Sequence, residues 1–215
     1  MKKIAIIGAG GFGREVRCLI NDINAASAEY DFIGYYDDNI AKGTMINNVP
    51  VLGSIDDLNN YSDNIEIALG IGIPEVKAKI IQRLSNPNIS FCTLIHPSVI
   101  MGCDDVKIGK GTVICAGNIL TCNITIADFV TLNLMCTVGH DSIIENYCSF
   151  MPAVNISGEV VIRERVYVGT GAKIINQLEI GQSTTVGAGA VVSKNLPAYC
   201  TAVGIPAKPI KFHNE

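Results

Sequence analysis

The sequence lacks several features on which common functional assignments depend. Its eight cysteines include no CxxC pair, which argues against a zinc site. It has no long run of lysine and arginine, which argues against a nucleic-acid surface. Glycines, Arg14 and Glu15 interrupt the apolar start, so we expect no secretory segment, and no stretch is apolar for long enough to span a membrane. We therefore expect a cytoplasmic protein with reduced cysteines, small-molecule partners and no metal.

The chain does contain enough apolar material for a substantial core. Apolar residues make up 48% of the 215 residues, and the formal net charge is -4. This length suits one large domain or two small ones. Because the pattern of the sequence changes near residue 95, we predict two domains, residues 1–95 and residues 96–215.

The first domain begins with a predicted strand, a glycine turn and a helix. Residues 3–7 (KIAII) are typical of a buried parallel strand, and GAGGFG follows before a helical pattern. Glycines in such a turn let the backbone approach a ligand, and the free N–H groups at the helix start favour a phosphate. A second strand ends in Asp37 and Asp38, about where a Rossmann-like unit places an acid against a ribose hydroxyl.

This Rossmann-like half-unit indicates a nucleotide, but the glycine pattern alone does not identify which one. NAD-dependent dehydrogenases need a second mononucleotide half and a substrate domain, whereas this sequence has changed its pattern by residue 100. A smaller phosphate-bearing ligand, such as a nucleotide sugar, fits one half-unit better. A purely structural tight turn remains the alternative.

The second domain has an apolar residue at every sixth position without exception. A strict period of six fits neither an amphipathic helix nor a hairpin array, whereas a parallel β-helix with three short strands per coil requires it. Fifteen such hexads make five coils. The predicted inward residues are Ile108, Ile114, Leu120, Ile126, Leu132, Val138, Ile144, Phe150, Ile156, Ile162, Val168, Ile174, Ile180, Val186 and Val192.

Smaller features of the repeat lead to three further expectations. Small or branched residues two positions before the inward residues should share the interior. Glycines directly after inward residues, such as Gly139 and Gly169, should serve the turns. Residues 194–212 contain three prolines and should cap the last coil, blocking further strand pairing.

The hexapeptide repeat resembles that of the left-handed β-helix acyltransferases, which use acetyl-CoA or another acyl thioester. With GAGGFG, YYDD and ALG in front, LIHPS at the junction and VGIPAK near the end, the chain is similar to bacterial sugar acetyltransferases that modify UDP-4-amino sugars or sialic acids. The resemblance covers nearly the whole chain. It implies an α/β Rossmann-like half-unit followed by a left-handed parallel β-helix, and a homotrimer whose sites, shared by two chains, bind acetyl-CoA and a nucleotide sugar.

The resemblance also implies roles for individual residues. His140 would be the general base, Asp141 would support it, and Asn133 would orient the sugar. The implied acyl-donor contacts are Ser149, Gly158, Gly169, Thr170 and Ala188, and the implied nucleotide-sugar contacts are Gly8, Gly10, Gly11, Phe12, Asp37, Asp38 and Gly70.

The chemistry of His140 suits this role, although spacing alone leaves alternatives. An imidazole is the side chain best able to accept a proton near neutral pH. His140 lies two residues beyond the inward Val138, near a corner where it can face a neighbouring chain. Because successive strand residues point to opposite faces, Asp141 can support it only if the corner bends the chain or the two meet across subunits. A surface histidine in a turn, or an acyl carrier at Cys136 or Cys148, remains possible from spacing alone.

Two positions depart from the family pattern and leave the acceptor open. Ser149 stands where some sugar N-acetyltransferases have a second histidine, and Phe12 stands where some have a histidine in the nucleotide loop. Acetylation of an amine on a nucleotide sugar is the leading hypothesis, and O-acetylation of sialic acid is the alternative. A rival from another class is a non-catalytic scaffold or a γ-type carbonic anhydrase. The anhydrase needs three zinc-binding histidines, and the predicted coils contain one.

Overall fold

The computed structural model describes residues 1–213, and its N-terminal part is a six-stranded sheet with three helices. The strands are β1 (Lys2–Ile7), β2 (Tyr30–Tyr36), β3 (Met45–Ile46), β4 (Val49–Gly53), β5 (Ile65–Leu69) and β6 (Ile89–Phe91). The helices are α1 (Gly11–Ala26), α2 (Ile55–Asn59) and α3 (Pro74–Arg83). The strand order is β3-β4-β2-β1-β5-β6, and every pair except β3 with β4 is parallel. This order confirms the Rossmann-like half-unit.

The central strand β1 is buried on both faces, as its apolar sequence predicts. Ile4 and Ile6 face the core on the α1 side, whereas Ala5 and Ile7 face the core formed with α2 and α3. The alternation along one strand therefore fills two separate cores.

The glycine turn after β1 leads directly into α1. Gly8 has a φ of 97°, a left-handed conformation that glycine adopts without steric cost. Gly13 packs against the carbonyl group of Gly8, where a Cβ would collide with it. The strand, turn and helix predicted from KIAIIGAGGFG are thus confirmed.

The remainder of the chain is a parallel β-helix with three faces. The first face contains β7 (Leu94–Ile95), β10 (Val113–Ile114), β13 (Thr131–Leu132), β16 (Ser149–Phe150), β19 (Tyr167–Val168) and β22 (Thr185–Val186). The second contains β8 (Ile100–Met101), β11 (Ile119–Leu120), β14 (Thr137–Val138), β17 (Asn155–Ile156), β20 (Lys173–Ile174) and β23 (Val191–Val192). The third contains β9 (Val106–Ile108), β12 (Ile124–Ile126), β15 (Ile143–Ile144), β18 (Val161–Ile162) and β21 (Glu179–Ile180).

Three edges join these faces. The first edge lies between the first and second faces, the second edge between the second and third, and the third edge between the third and first. Each strand pairs in parallel with the strand one coil later, as Val138 pairs with Ile156. The edges therefore stack turn upon turn along the axis.

The six-residue register is confirmed. Fourteen of the fifteen predicted inward residues are buried, and Ile108 is partly buried beside the same core. The structure adds one coil before Ile108. There Ile95 pairs with Ile114 and Met101 pairs with Leu120, one residue out of phase with the later repeat.

The turns differ from the expectation about glycine. A left-handed residue occupies the third position after every inward residue from Ile108 to Val186, and most of these residues are not glycine, as with Asp141 (φ 58°) and Tyr147 (φ 63°). From Asn123 to Gly189, the backbone N–H of each such residue donates to a carbonyl of the preceding coil, as from Asp141 to the Cys122 carbonyl at 3.1 Å. The glycines that directly follow inward residues have another role. At Gly139 a Cβ would lie 2.5 Å from the Gly158 nitrogen, so glycine there permits close stacking of coils.

The C-terminal segment continues the sheet, contrary to the prediction that prolines would stop pairing. Strand β24 (Cys200–Val203) pairs in parallel with β22, and β25 (Lys208–Phe212) pairs antiparallel with β24. Pro209 lies within β25, which is the edge strand of the sheet, where a missing N–H is tolerated. The segment therefore caps the three-faced β-helix, called the prism below, by adding a hairpin.

The N-terminal domain packs on the first face, and within residues 1–213 it shares no core with the second or third face. Val16, Leu19 and Ile20 of α1 share a core with Leu94 and Val113, which point outward from that face. Throughout residues 1–213, no helix has the length and apolar character needed to cross a membrane.

Candidate active site

His140 lies on the second edge in a chain of three side chains. Its Nδ1 is 2.7 Å from Oδ2 of Asp141, and Oδ1 of Asp141 accepts a hydrogen bond of 3.0 Å from Nδ2 of Asn123, one coil earlier. The left-handed conformation of Asp141 bends the chain at the corner. This bend resolves the geometric objection raised by strand alternation, because adjacent residues now meet within one chain.

The electrostatics of this trio fix the role of each nitrogen of the imidazole. Hydrogen bonds from His140 and Asn123 hold the pKa of Asp141 below its ordinary value of 3.8, so it is a carboxylate. A carboxylate only accepts hydrogen bonds, so Nδ1 of His140 is the donor, and in the neutral imidazole Nε2 then presents a lone pair. The His140 side chain is 55% exposed, and Gly158 lies directly beneath its ring. The arrangement is that of an accessible base.

The structure separates the predicted site residues into two groups. Gly158 shares the second edge with His140, because it follows β17 as His140 follows β14. Asn133 follows β13 and therefore lies on the first edge. Gly169 and Thr170 lie on that first edge too, two coils further along the axis, and Ala188 lies there three coils further. Within one chain, the whole second face separates Asn133 from His140.

Asn133 is buried to 6% exposure and has a specific setting. Its Oδ1 accepts from the Leu134 N–H at 2.7 Å, and its carbonyl accepts from Nδ2 of Asn118 at 2.9 Å. These bonds fix the turn. They use Oδ1 and the backbone carbonyl of Asn133, and they do not involve its Nδ2 donor. Its predicted contact with the sugar stays a prediction.

The placement of Ser149 argues against its predicted contact with the acyl donor. Its side chain is fully buried on the first face, and its Oγ has no hydrogen-bond partner. Its strand neighbour Thr131 and the adjacent Cys148 both contact Lys77 of α3. The N-terminal domain thus covers the position and leaves Ser149 no surface for a ligand.

The cysteine alternative is also disfavoured. Cys136 and Cys148 are fully buried at the small inward positions of the coils. Burial raises the pKa of Cys136 to about 11 and that of Cys148 to about 12. Since the thiolate is the nucleophilic form, neither thiol is suited to carry an acyl group.

A cleft of about 250 Å³ opens beside the glycine turn of the N-terminal domain. Gly8, Asp37 and Asp38 line it, together with Lys79 and Arg83 of α3. Gly10 caps α1 without any side-chain hydrogen bond, so that free N–H groups face the turn. Arg83 is paired with carboxylates, so Lys79 and the helix start are the features of this region that suit an anionic ligand such as a nucleoside diphosphate.

The two aspartates hold the walls of this cleft. Oδ2 of Asp37 accepts from the Ala9 N–H at 2.9 Å and ties β2 to the glycine turn. Oδ2 of Asp38 pairs with Arg83 at 2.6 Å, and this contact lowers the pKa of Asp38. Both carboxylates also border the cleft, so their predicted contact with the nucleotide stays open.

The other predicted contacts of this domain differ in accessibility. Gly70 is buried, and a Cβ on it would lie 2.5 Å from the Gly13 Cα, so glycine at this position permits close packing. The next residue, Ile71, lines the cleft instead. Phe12 is half-buried against the core on the α1 side. Gly10 and Gly11 are exposed at the start of α1.

The glycine turns of the N-terminal domain lie close to the first edge of the β-helix. A Cβ on Gly72, in the loop after β5, would lie 3.8 Å from Cε of Met151. Met151 directly follows β16, one coil beyond Asn133. The loop that begins at Ile71, a residue of the cleft wall, therefore reaches the edge that carries Asn133.

Sequence reasoning missed several residues at these places. Asn123 was not identified because its hydrogen bond to Asp141 depends on the stacking of two coils. The sequence does show that Asn123 and Asp141 are one coil repeat apart. Lys79 and Arg83 belong to no motif that marks them as lining a cleft, and their place there depends on the packing of α3. The other histidine near the coils, His96, bonds Ser98 at 2.8 Å and Asp22 at 3.2 Å and so links the start of the β-helix to α1.

Comparisons with known proteins agree with this architecture. The PglD N-terminal domain family matches residues 3–84. The chain is 29% identical over 217 residues to a GDP-perosamine N-acetyltransferase of Escherichia coli O157:H7, covering 98% of this chain and 97% of that protein.

Two solved structures extend the similarity to the whole fold. WeeI from Acinetobacter baumannii AYE superposes with a TM-score of 0.88 at 32% identity, covering 98% of this chain and 100% of WeeI. The acetyltransferase domain of PglB from Neisseria gonorrhoeae FA1090, in complex with acetyl coenzyme A, gives 0.86 at 30% identity, covering 97% and 99%. The prism is thus a left-handed β-helix, and the chain belongs to the hexapeptide-repeat sugar acetyltransferases.

Proposed function

We propose that this protein transfers the acetyl group of acetyl-CoA to the amino group of a nucleotide-linked amino sugar. The observation that carries the proposal is the hydrogen-bonded chain from Asn123 through Asp141 to an exposed His140. The relatives include an N-acetyltransferase of a GDP-linked sugar and an acetyltransferase with bound acetyl coenzyme A. We expect the reaction to take place in the cytoplasm.

His140 acts as the general base at Nε2. As the amine nitrogen of the sugar attacks the thioester carbonyl carbon, Nε2 accepts the proton that this nitrogen loses, and coenzyme A leaves as the thiolate. Asp141 holds the imidazole in the tautomer that exposes the Nε2 lone pair and stabilises the imidazolium that forms. Asn123 orients Asp141 in turn.

A site assembled from two chains accounts for the separation of the predicted residues. The nucleotide cleft and Asn133 border the first edge, whereas His140 and Gly158 lie on the second. A homotrimer in which the second face of each chain meets its neighbour brings a first edge against a second edge three times. Each cleft then contains the base of one chain and the nucleotide domain of the next.

The surface of the second face suits this assembly. Ile100 (63% exposed) and Ile119 (40% exposed) point outward from it, and Leu134 and Met135 lie at its first edge, also exposed. Apolar side chains grouped in this way mark protein contact sites. The acyl donor lies in the groove between the two edges, along Gly158 of one chain and Gly169, Thr170 and Ala188 of the other.

An assay of coenzyme A release tests the reaction. The protein is mixed with acetyl-CoA, a thiol reagent and a panel of UDP-, GDP- and dTDP-linked amino sugars. Release with at least one of them is expected. Release only with free sialic acid, without a nucleotide, supports the O-acetylation alternative, and no release with any acceptor contradicts an acetyltransferase.

A substitution of the base tests the mechanism. His140→Asn should lower kcat by about 10²- to 10⁴-fold, the usual contribution of a general base. Calorimetric binding of the nucleotide and of acetyl-CoA should be unchanged, because the ring touches the reacting atoms only. A non-catalytic scaffold predicts no effect of this substitution on any property.

A further inference from the structure

Lys77 in α3 is buried to 1% exposure in the contact between the two domains. Its Nζ donates to the Phe129 carbonyl at 2.7 Å, to the Cys148 carbonyl at 3.1 Å and to Thr131 Oγ1 at 3.3 Å. Burying a lysine without a carboxylate partner is unfavourable, and an apolar residue would pack there at less cost. The side chain therefore has a role other than filling space, and its hydrogen bonds are the contacts that an apolar residue would not make.

These three oxygen atoms belong to two successive coils. Phe129 and Thr131 lie in one coil, and Cys148 lies at the equivalent turn of the next. The coil that contains His140 runs directly on to Cys148. Lys77 thus joins α3 to the turn eight residues beyond the proposed base.

The same helix forms one wall of the nucleotide cleft. Val76, Lys79, Ile80 and Arg83 line the cleft, while Lys77 points into the β-helix. Because α3 is a helix of only ten residues, its cleft-lining residues and Lys77 are rigidly connected. A shift of Lys77 against the β-helix therefore also shifts the wall of the cleft against the β-helix.

The other contacts in this region are less directional. The ring of Phe129 stacks on Tyr147 with centroids 5.4 Å apart and meets Phe91 edge-on at 5.1 Å. Aromatic packing tolerates sliding by small displacements, whereas hydrogen bonds to fixed backbone carbonyls depend on position and angle. Among residues 1–213, the directional side-chain contacts from α3 to the coils are those of Lys77.

We propose that Lys77 is a positioning residue, which fixes the nucleotide cleft on the β-helix so that the amine of the bound sugar reaches the base. This inference rests on the proposed function for its effect on turnover. The mechanical part, that Lys77 holds α3 on the coils, is independent of the substrate.

Kinetics of three variants test the proposal. Lys77→Met keeps the length of the side chain and removes the donors, Lys77→Arg keeps donors, and Lys107→Met is the control at an exposed lysine on the third face. Lys77→Met should lower kcat by about 10- to 100-fold, since a displacement of about 1 Å can cost about 10²-fold. Nucleotide and acetyl-CoA dissociation constants should stay unchanged, Lys77→Arg should recover part of kcat, and Lys107→Met should match the wild type. An unchanged kcat in Lys77→Met, or loss of nucleotide binding instead of kcat, overturns the proposal.

Hydrogen exchange separates this proposal from the proposed function. In the wild type, the amides of residues 74–83 and 129–131 should exchange slowly, and in Lys77→Met they should exchange faster, because the helix opens locally. Thr131→Val, which removes one acceptor at constant volume, should give a smaller change in the same direction and serves if Lys77→Met does not fold. Equal exchange in wild type and variants overturns the role of Lys77 even if the wild type acetylates no sugar. A wild type without turnover but with the expected exchange contradicts only the proposed function.

Discussion

The imidazole of His140 rests on the Cα of Gly158, one coil further along the prism. A Cβ built on Gly158 would lie 2.5 Å from Nε2 and 2.6 Å from Cε1 of the ring. Gly158 does not have a positive φ, so the backbone itself would accept another residue. Glycine is required there by the ring, and it positions the nitrogen that takes the proton.

Gly158→Ala should therefore disable the base without unfolding the coil. The methyl group would push the ring away from its position, and we expect kcat to fall by about 10²-fold, the scale of a 1 Å misplacement. The melting temperature should change little, because the ring has solvent into which it can move. Ser157→Ala, at the adjacent exposed residue, is the control and should retain wild-type kcat. A variant of Gly158 with full activity would show that the ring does not work from this position.

Asp141→Asn tests the support of the base. The carboxylate of Asp141 is charged at every pH above its ordinary pKa of 3.8, since His140 and Asn123 lower that pKa. An amide in its place offers no charge to the imidazolium, so we expect kcat to fall by about 10-fold or more, part of the factor of about 10² to 10⁴ that a base contributes. Asn123→Ala should give a smaller loss in the same direction. Asp31→Asn, at an exposed carboxylate of β2 in the N-terminal domain, should have no effect on steady-state kinetics.

The sequence predicted the repeating parts of this fold and not the contacts between them. The inward residues from Ile114 to Val192 were readable because every coil imposes the same packing requirement at the same spacing. The first coil escaped the pattern, since Met101 is out of phase and 40% exposed at the end of the prism. The turn geometry was misread because backbone bonds between coils hold residues such as Tyr147 in the left-handed region that glycine would otherwise occupy.

The candidate site was predictable in part for the same reason. His140 and Asp141 are neighbours in sequence, so their association needed only the bend at the corner. The burial of Ser149 depends on where the N-terminal domain docks, which no local pattern encodes. Lys77 likewise looks like an ordinary helix lysine until α3 is placed against the first face.

Ile119→Glu should dissociate the proposed trimer. Ile119 points outward from the second face, and a carboxylate buried between chains without a partner strongly opposes association. Ile143→Glu is a matched control, because Ile143 has a similar exposure of 45% but points outward from the third face. Sedimentation should show monomers for the first variant and trimers for the second, and only the first should lose activity. Monomers of the second variant with trimers of the first would place the interface on the third face.

The stability of the protein should depend on pH through Lys77. Burial lowers the pKa of Lys77 from 10.5 to about 7, and the groups that face it are the Cys148 thiol, which is neutral, and Glu75 on its own helix. Between these two values the unfolded chain holds a proton that the folded chain has lost, so the free energy of unfolding rises with pH, by up to about 1.4 kcal/mol per pH unit. The melting temperature of the wild type relative to Lys77→Met should therefore increase from pH 7 to about pH 9. Lys79→Met, at an exposed lysine of the same helix, should show no such trend against the wild type. A difference between wild type and Lys77→Met that stays constant over this range would mean that the folded protein keeps Lys77 charged.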